Sequence, residues 1–483
     1  MRRIKIASIA AISFLSIILL FVSQNQINSP PTDSKPIKNV DTNRSLYVTE
    51  FTLPTNSFPN GILIDSKGFV WTVGSNSRLY KFNPADSQLT SVYVIGDKDE
   101  SGSSLMMGWT IVEDNDGFLW LSQLGLKSLW RFDPTTEKFS PYGTKASPFQ
   151  MKADKENGEI WFTTVGNTVG VVKKTSDYKS NEYKIQEFDV GDNTFPSGLF
   201  LEKDHVWISQ VTGNKLIKFR INRGDDQVLS IEKVFEIPSD NKTTIYSPTD
   251  VLVDDNEVWF TEHGTSTITK YVLGENQVKR FPTSRNQFNA TTLPFWLKES
   301  QKGDGMWINE HTGNKIAFFN IDDLTLTEYE ILSRPPDGST VYPLGLSTTS
   351  NAVWFSEWNT DKIAVIDAEK PIPFDIKVKE NIIRIPRSSE KPEIIDLEIF
   401  GNGNLLGGRS VSLMVSSSME PSLGLVNMTA KFAEEKISFT GVDTKKVQLV
   451  IDTYSAPSGN YTLAVSATDG AVTKSAFVDL MIN

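Results

Sequence analysis

Seven tryptophans sit in one short frame along the chain: Trp71, Trp120, Trp161, Trp207, Trp259, Trp307 and Trp354, spaced 41 to 52 residues apart. An apolar residue precedes each one, and an apolar-polar pair of strand character follows it. A fixed period of this size marks an array in which every unit buries its apolar face against the next. The best copies open on a Pro and a small apolar strand, as in Pro59-Asn60-Gly61-Ile62 and Pro196-Ser197-Gly198-Leu199. A turn such as Asp65-Ser66-Lys67-Gly68 or Asp114-Asn115-Asp116-Gly117 follows, its Gly supplying the positive φ of a tight hairpin. The Trp strand comes next, then a third strand (Asn214-Lys215-Leu216, Asn314-Lys315-Ile316) and a fourth with a Glu-aromatic pair (Glu187-Phe188, Glu328-Tyr329). Four short strands per repeat and seven repeats predict an all-β, seven-bladed β-propeller.

Counting strands predicts how the ring closes. Blade seven has a third strand at residues 362–366 but no fourth after it, whereas Tyr47-Val48-Thr49-Glu50-Phe51 carries the fourth-strand pattern ahead of the first complete blade. The N-terminal strand is therefore expected to complete blade seven, which removes exposed sheet edges. The propeller is placed at residues 45–370.

Residues 1–22 carry Arg2, Arg3 and Lys5 before an uncharged run of 17 residues from Ile6 to Val22, which reads as a signal peptide or an uncleaved signal anchor. Residues 23–44, with Pro30, Pro31 and Pro36, read as a flexible stalk. The rest of the chain is then expected to be extracellular, secreted or held at the cell surface by a membrane-spanning N-terminal segment. Asn-x-Ser/Thr sequons at Asn43, Asn241, Asn289, Asn427 and Asn460 agree with export. No cysteine is present, so stability rests on the core and the closed ring. A net charge of −11 without a basic block excludes nucleic acid as a partner. Residues 373–483 lose the Trp period and alternate in plain strand fashion, as in Val447-Gln448-Leu449-Val450-Ile451. They are expected to form an immunoglobulin-like β-sandwich serving as spacer or docking module.

The frame Pro-x-Gly-Ile, Val258-Trp259-Phe260-Thr261-Glu262, Asn314-Lys315-Ile316 and Glu-Phe, over residues 46–368, resembles the streptogramin (virginiamycin B) lyases. That resemblance implies a seven-bladed propeller which opens cyclic depsipeptides by metal-assisted elimination, with magnesium as the metal. It also implies a His after the Pro that opens blade six and another after the Pro of blade seven, the latter preceded by a Glu. Here those positions hold Phe295, Leu344 and Tyr342, and only Glu357, just after the Trp strand of blade seven, matches a family carboxylate.

Hairpin-linked antiparallel strands return to one rim, so the residues after each Trp strand share the rim of the opening Pro. That rim is expected to carry Glu262-His263, Glu310-His311 and Glu357-Trp358. His263 and His311 are the candidate catalytic residues, and Glu262, Glu310 and Glu357 the candidate ligands of a divalent metal such as magnesium. The competing reading pairs each Glu with a neighbour such as Lys315 or Lys362. His205, on a Trp strand, is read as structural. Asp114-Asn115-Asp116-Gly117 is read as a hairpin turn and not a calcium loop.

Three functions stay open on the sequence. The first is an exported, monomeric, lyase-like propeller that binds a small molecule, peptide or glycan at its channel mouth, with Phe295 and Trp296 favouring an apolar or sugar-like ligand. The second is a metal-dependent lyase or lactonase-like hydrolase opening a cyclic ester. The third is a structural adhesin or envelope protein.

Overall fold

The computed structural model describes residues 42–96, 107–175, 182–191, 195–223, 228–238, 246–285, 291–331, 333–386, 391–402, 410–417, 428–453 and 456–483. The leader, the stalk up to residue 41 and the sequons at Asn241, Asn289 and Asn427 lie outside them.

Seven four-stranded antiparallel sheets form the propeller, each running a–b–c–d from the channel outwards. The innermost strands are Pro59–Ile64, Met107–Glu113, Pro148–Asp154, Pro196–Glu202, Pro248–Asp254, Pro294–Glu299 and Pro343–Thr348. Each recurring Trp lies in the second strand and is buried between its own blade and the next. Trp71, for example, meets Phe132 of blade two at 5.7 Å between ring centroids. In four blades its polar edge is satisfied locally: the indole N–H of Trp71 donates to Asp65, that of Trp120 to Asp114, that of Trp161 to Glu159 and that of Trp207 to Glu202. Asp114 also accepts the backbone N–H groups of Asp116 and Phe118, so its carboxylate is consumed by the hairpin turn and the indole.

Blade seven is completed by Val48–Thr52, which pairs with Lys362–Asp367 from Val48↔Ile366 to Thr52↔Lys362. Phe51 stacks on Trp354 at 5.6 Å and meets Phe82 of blade one at 4.8 Å, so the closing strand is bonded to one end of the array and packed on the other. Asp361 accepts the N–H groups of Asn56 and Phe58 across the same junction. Residues 42–44 depart from the stalk reading. Thr42–Arg44 folds back through a turn, in which Ser45 Oγ accepts the N–H of Val48, and adds a fifth strand to blade seven.

A β-bulge interrupts the pairing of every innermost strand, between the opening position and the residue three further on. The bulge leaves a backbone N–H without a ladder partner. In blades two to seven that N–H is taken by the side chain two residues after the Trp, which then reaches into the next blade. Ser209 accepts from Gly198 N and donates to Thr249 O; Thr261 accepts from Asp250 N and donates to Phe295 O. Ser122, Thr163, Asn309 and Ser356 repeat the pattern, and Ser356 closes the circle on Asn60 O of blade one. Blade one has Val73 at this position, and there Asn60 Nδ2 donates to Gly108 O of blade two.

After the propeller, two sheets pack as a β-sandwich. One runs Phe374–Val378, Glu393–Gly401, Thr444–Asp452, Thr429–Phe432; the other holds Lys436–Ser438, Ser410–Ser417, Gly459–Thr468 and Val472–Ile482, with Ile382–Ile385 parallel to the last. The second sheet does not end at the domain boundary. Its strand Val472–Ile482 pairs with the outer strand of blade six, Leu326↔Ser475 to Tyr329↔Val472, so blade and sandwich form one continuous sheet. Phe477 seals the junction against Phe281 (5.0 Å) and Phe319 (6.0 Å), and Lys279 pairs with Asp479 at 2.8 Å.

Two outcomes follow. Ser209→Ala strands the Gly198 N–H and the Thr249 carbonyl and lowers unfolding free energy by about 1–3 kcal/mol, whereas Ser230→Ala on an exposed outer strand costs less than about 0.5 kcal/mol, both read from urea midpoints. Phe477→Ala, which empties the junction, lowers the thermal midpoint and splits a single calorimetric transition into two. One undivided transition in that variant contradicts the junction's role.

Candidate functional site

The rim at which the innermost strands begin is built by one repeated backbone contact. The N–H of the residue after the second strand donates to the carbonyl of the residue before the opening position: His263 to Ser247, His311 to Leu293, Trp358 to Tyr342, Ser75 to Phe58. Ser247, Leu293, Tyr342 and Phe58 all hold positive φ, from 43° to 52°. A conformation that bulky residues adopt rarely is thus imposed at blade after blade around the mouth.

His263 and His311 therefore stand side by side on neighbouring blades, with ring centroids 5.6 Å apart. Phe295 lies against both, 4.3 Å from His311 and 5.5 Å from His263. It also joins a cluster that crosses the channel: Trp109 and Phe149 each lie 6.3 Å from Phe295, Trp109 stacks on Phe149 at 5.3 Å, and Trp296 meets Phe149 at 5.3 Å. All four of these aromatic side chains are buried. Phe295 and Trp296 thus fill the channel beneath the imidazoles. Beside them Trp358 is buried, its indole N–H on Ser75 Oγ at 3.0 Å, under half-buried Phe58 (5.2 Å) and Tyr342 (6.5 Å).

Both imidazoles are held neutral. Burial pulls His263 down to about 4, and burial together with the neighbouring His263 pulls His311 well below the usual histidine range. His311 Nε2 has no hydrogen-bond partner. His205 lies away from this rim and pairs with Glu232 at 2.9 Å.

The three carboxylates are not brought together. Each ends its second strand and points between strands of its own blade, at equivalent places in blades five, six and seven. Glu262 takes Arg280 Nε at 2.8 Å and Nη2 at 3.2 Å, with Thr265 and Thr267 hydroxyls on the same carboxylate. Glu310 is fully buried beside Glu328 and Lys315, and Lys315 spends its ammonium on Ser284 and Glu328. Burial, then repulsion from Glu328, raises Glu310 well above the usual carboxylate range. Glu357 accepts from Thr360 at 2.8 Å, while Lys362 is engaged by Glu50 at 2.6 Å; burial, then repulsion from Glu50, pushes Glu357 up to about 8.

A carboxylate clamped by Arg280 and two carboxyls held protonated are poor donors to a divalent cation, which takes ionised oxygens. Among the described residues no group of three His, Cys, Asp or Glu side chains stands close enough to hold a metal. The expected magnesium set of Glu262, Glu310 and Glu357 thus does not fit one ion, and the competing pairing with Lys315 or Lys362 is not formed either: those lysines are engaged by Glu328 and Glu50, and Glu262 takes Arg280.

Set beside solved structures, the chain shares its fold with virginiamycin B and streptogramin B lyases. It is similar to virginiamycin B lyase from Staphylococcus aureus at 20% identity and a TM-score of 0.52, over 66% of this chain and 98% of that one. A catalytically inactive variant of the same enzyme, solved with quinupristin, is 21% identical with the same score and coverage. A streptogramin B lyase structure is 18% identical, TM-score 0.52, over 66% of this chain and 97% of that one. At these identities the likeness is one of fold, the seven-bladed propeller. No protein-family model matches the chain, and no curated protein does.

Glu357 gives a pH signature. Its folded value near 8 lies above the ordinary 4.5, so the stabilisation it confers is complete below about 4.5 and is lost as pH rises through about 8. Glu357→Gln is therefore expected to gain on wild type steadily across that window, by at most about 1.4 kcal/mol per pH unit in chemical unfolding. A variant running parallel to wild type contradicts a protonated Glu357.

Proposed function

We propose that this chain is an exported propeller that binds a small molecule or cyclic peptide by an apolar or aromatic face at its channel mouth, without opening its ring. The observation that carries the reading is the mouth itself: two neutral imidazoles flank Phe295, and half-buried Phe58 and Tyr342 overlie Trp358. Such a surface offers edge-to-face and stacking contacts to an apolar ring and hydrogen bonds through unprotonated imidazole. A base held near 4, as His263 is, abstracts protons weakly at neutral pH, because a general base works best near the operating pH. The positions at which the lyase resemblance implies histidines hold Phe295 and Leu344, and Phe295 is wedged into the aromatic floor. Export and attachment to the cell surface are supported by the basic start and the apolar run Ile6 to Val22. The sandwich, continuous with blade six, is suited to hold the mouth in a fixed orientation relative to whatever it docks on.

Quinupristin, present in one of the similar structures, serves as the probe. Residues 42–483 are expected to show saturable quenching of tryptophan fluorescence, weakened about tenfold or more in His311→Ala, with the antibiotic recovered intact in the presence or absence of magnesium. A linearised product formed only with magnesium would favour the ester-opening lyase, and an absence of saturable binding would remove the mouth as a site for such ligands.

A further inference from the structure

The channel has a second end, facing the Asp-x-x-Gly turns, and it differs chemically from the mouth. Below the aromatic cluster lies a cavity of about 40 Å³, roofed by Trp109 and Trp296 and walled by Ile111, Met151 and Leu346. At roughly 10–15 Å³ for each water-sized group, it has room for about three. Two polar layers cross it. Gln150 donates to Asp250 at 2.9 Å, and Asp250 in turn accepts the N–H groups of Leu297 and Val251, so this carboxylate is committed to the scaffold.

The next layer is cationic. Side chains two apart on a strand share a face, so Lys298 follows Trp296 and Lys152 follows Gln150 towards this end of the channel. Lys298 lines the cavity, and Lys152 is near enough to repel it. Burial, then that repulsion, draws Lys298 down to about 8, with Asp250 opposing. No hydrogen bond or ion pair holds either ammonium among the described residues. In a chain of net charge −11, two lysines stand here against the single carboxylate of Asp250, whose attraction for Lys298 is weaker than the repulsion from Lys152, which leaves a net positive field at this end of the channel. An excess of one sign of charge in a partly desolvated place is costly unless a further counter-charge enters.

We propose that this end of the channel is a subsite for a short-chain carboxylate, its carboxylate bridging Lys152 and Lys298 and its hydrocarbon end under Trp296 and Trp109. The apolar walls select a carboxylate with a short tail over a fully hydrated oxyanion such as phosphate, and the cavity's size limits the tail to a few carbons. The site lies on the far side of the aromatic cluster from His263 and His311, so it stands apart from ligand binding at the mouth.

Titration of residues 42–483 with propionate by calorimetry tests this, with Lys298→Met and Lys152→Met keeping the aliphatic stems. Wild type is expected to bind propionate saturably in the millimolar range, at least about tenfold more weakly in each lysine variant, and unchanged in His311→Ala. Inorganic phosphate is expected to compete poorly. Because each variant relieves a like-charge contact, its thermal midpoint should equal or exceed that of wild type, which separates lost binding from lost folding. Absence of saturable heat in wild type, binding in either lysine variant as tight as in wild type, or phosphate binding as tightly as propionate would overturn the proposal.

Discussion

A side chain two residues after the repeating Trp carries the architecture. Each innermost strand bulges at its start, and the bulge frees a backbone N–H in the middle of the protein, where an unpaired polar group costs about 1–3 kcal/mol. The hydroxyl or amide of Ser122, Thr163, Ser209, Thr261, Asn309 and Ser356 takes that N–H and, as donor, binds a carbonyl of the following blade. One atom or group thus satisfies a bulge and fixes the neighbour's position. The chain of contacts returns to Asn60 in blade one, so the spacing of blades around the channel is set by short polar links, with the tryptophans filling the apolar layer outside them.

The channel inherits its chemistry from this arrangement. With backbone groups committed to the links, what projects inwards is decided by the residue at the bulge and its successor. At the rim end these are Trp109, Phe149 and Phe295, with the imidazoles above; deeper come Gln150, Asp250 and Trp296, then Lys152 and Lys298. Aromatic, amide-carboxylate and cationic layers succeed each other along one axis. The acids ending the second strands stay out of it, because the turn that follows sends the third and fourth strands alongside, and Arg280, Lys315 and Lys362 arrive at the level of Glu262, Glu310 and Glu357.

Much of the ring was legible in the sequence because its signals are periodic side-chain signals. The Trp frame gave seven blades, counting strands placed Val48–Thr52 in blade seven, and the return of hairpins put His263, His311 and Trp358 on one rim. The acids were misleading for a physical reason: a Glu beside a His at the end of a strand looks like a ligand until its surroundings are in place, and these clamp Glu262 with Arg280 and bury Glu310 and Glu357 beside the acids Glu328 and Glu50. The hydroxyl links were hidden because Ser or Thr after Trp-x is ordinary strand alternation, and only the bulge gives it a task. The joining of the sandwich to blade six rests on backbone pairing, which leaves no side-chain signature at Leu326–Tyr329. Thr42–Arg44 was lost in a polar, proline-bearing stretch that reads as linker.

Native-state hydrogen exchange on the bulge amides bears most directly on the claim that polar links lock the channel. Gly198, Asp250, Trp296 and Gly345 N–H groups are each bound by a linking side chain, and the account predicts that all four exchange at the rate of global unfolding, whichever blade they belong to. Fast exchange of any of them through local opening, while the second-strand amides around the tryptophans stay protected, would contradict it and leave the ring held by apolar packing alone.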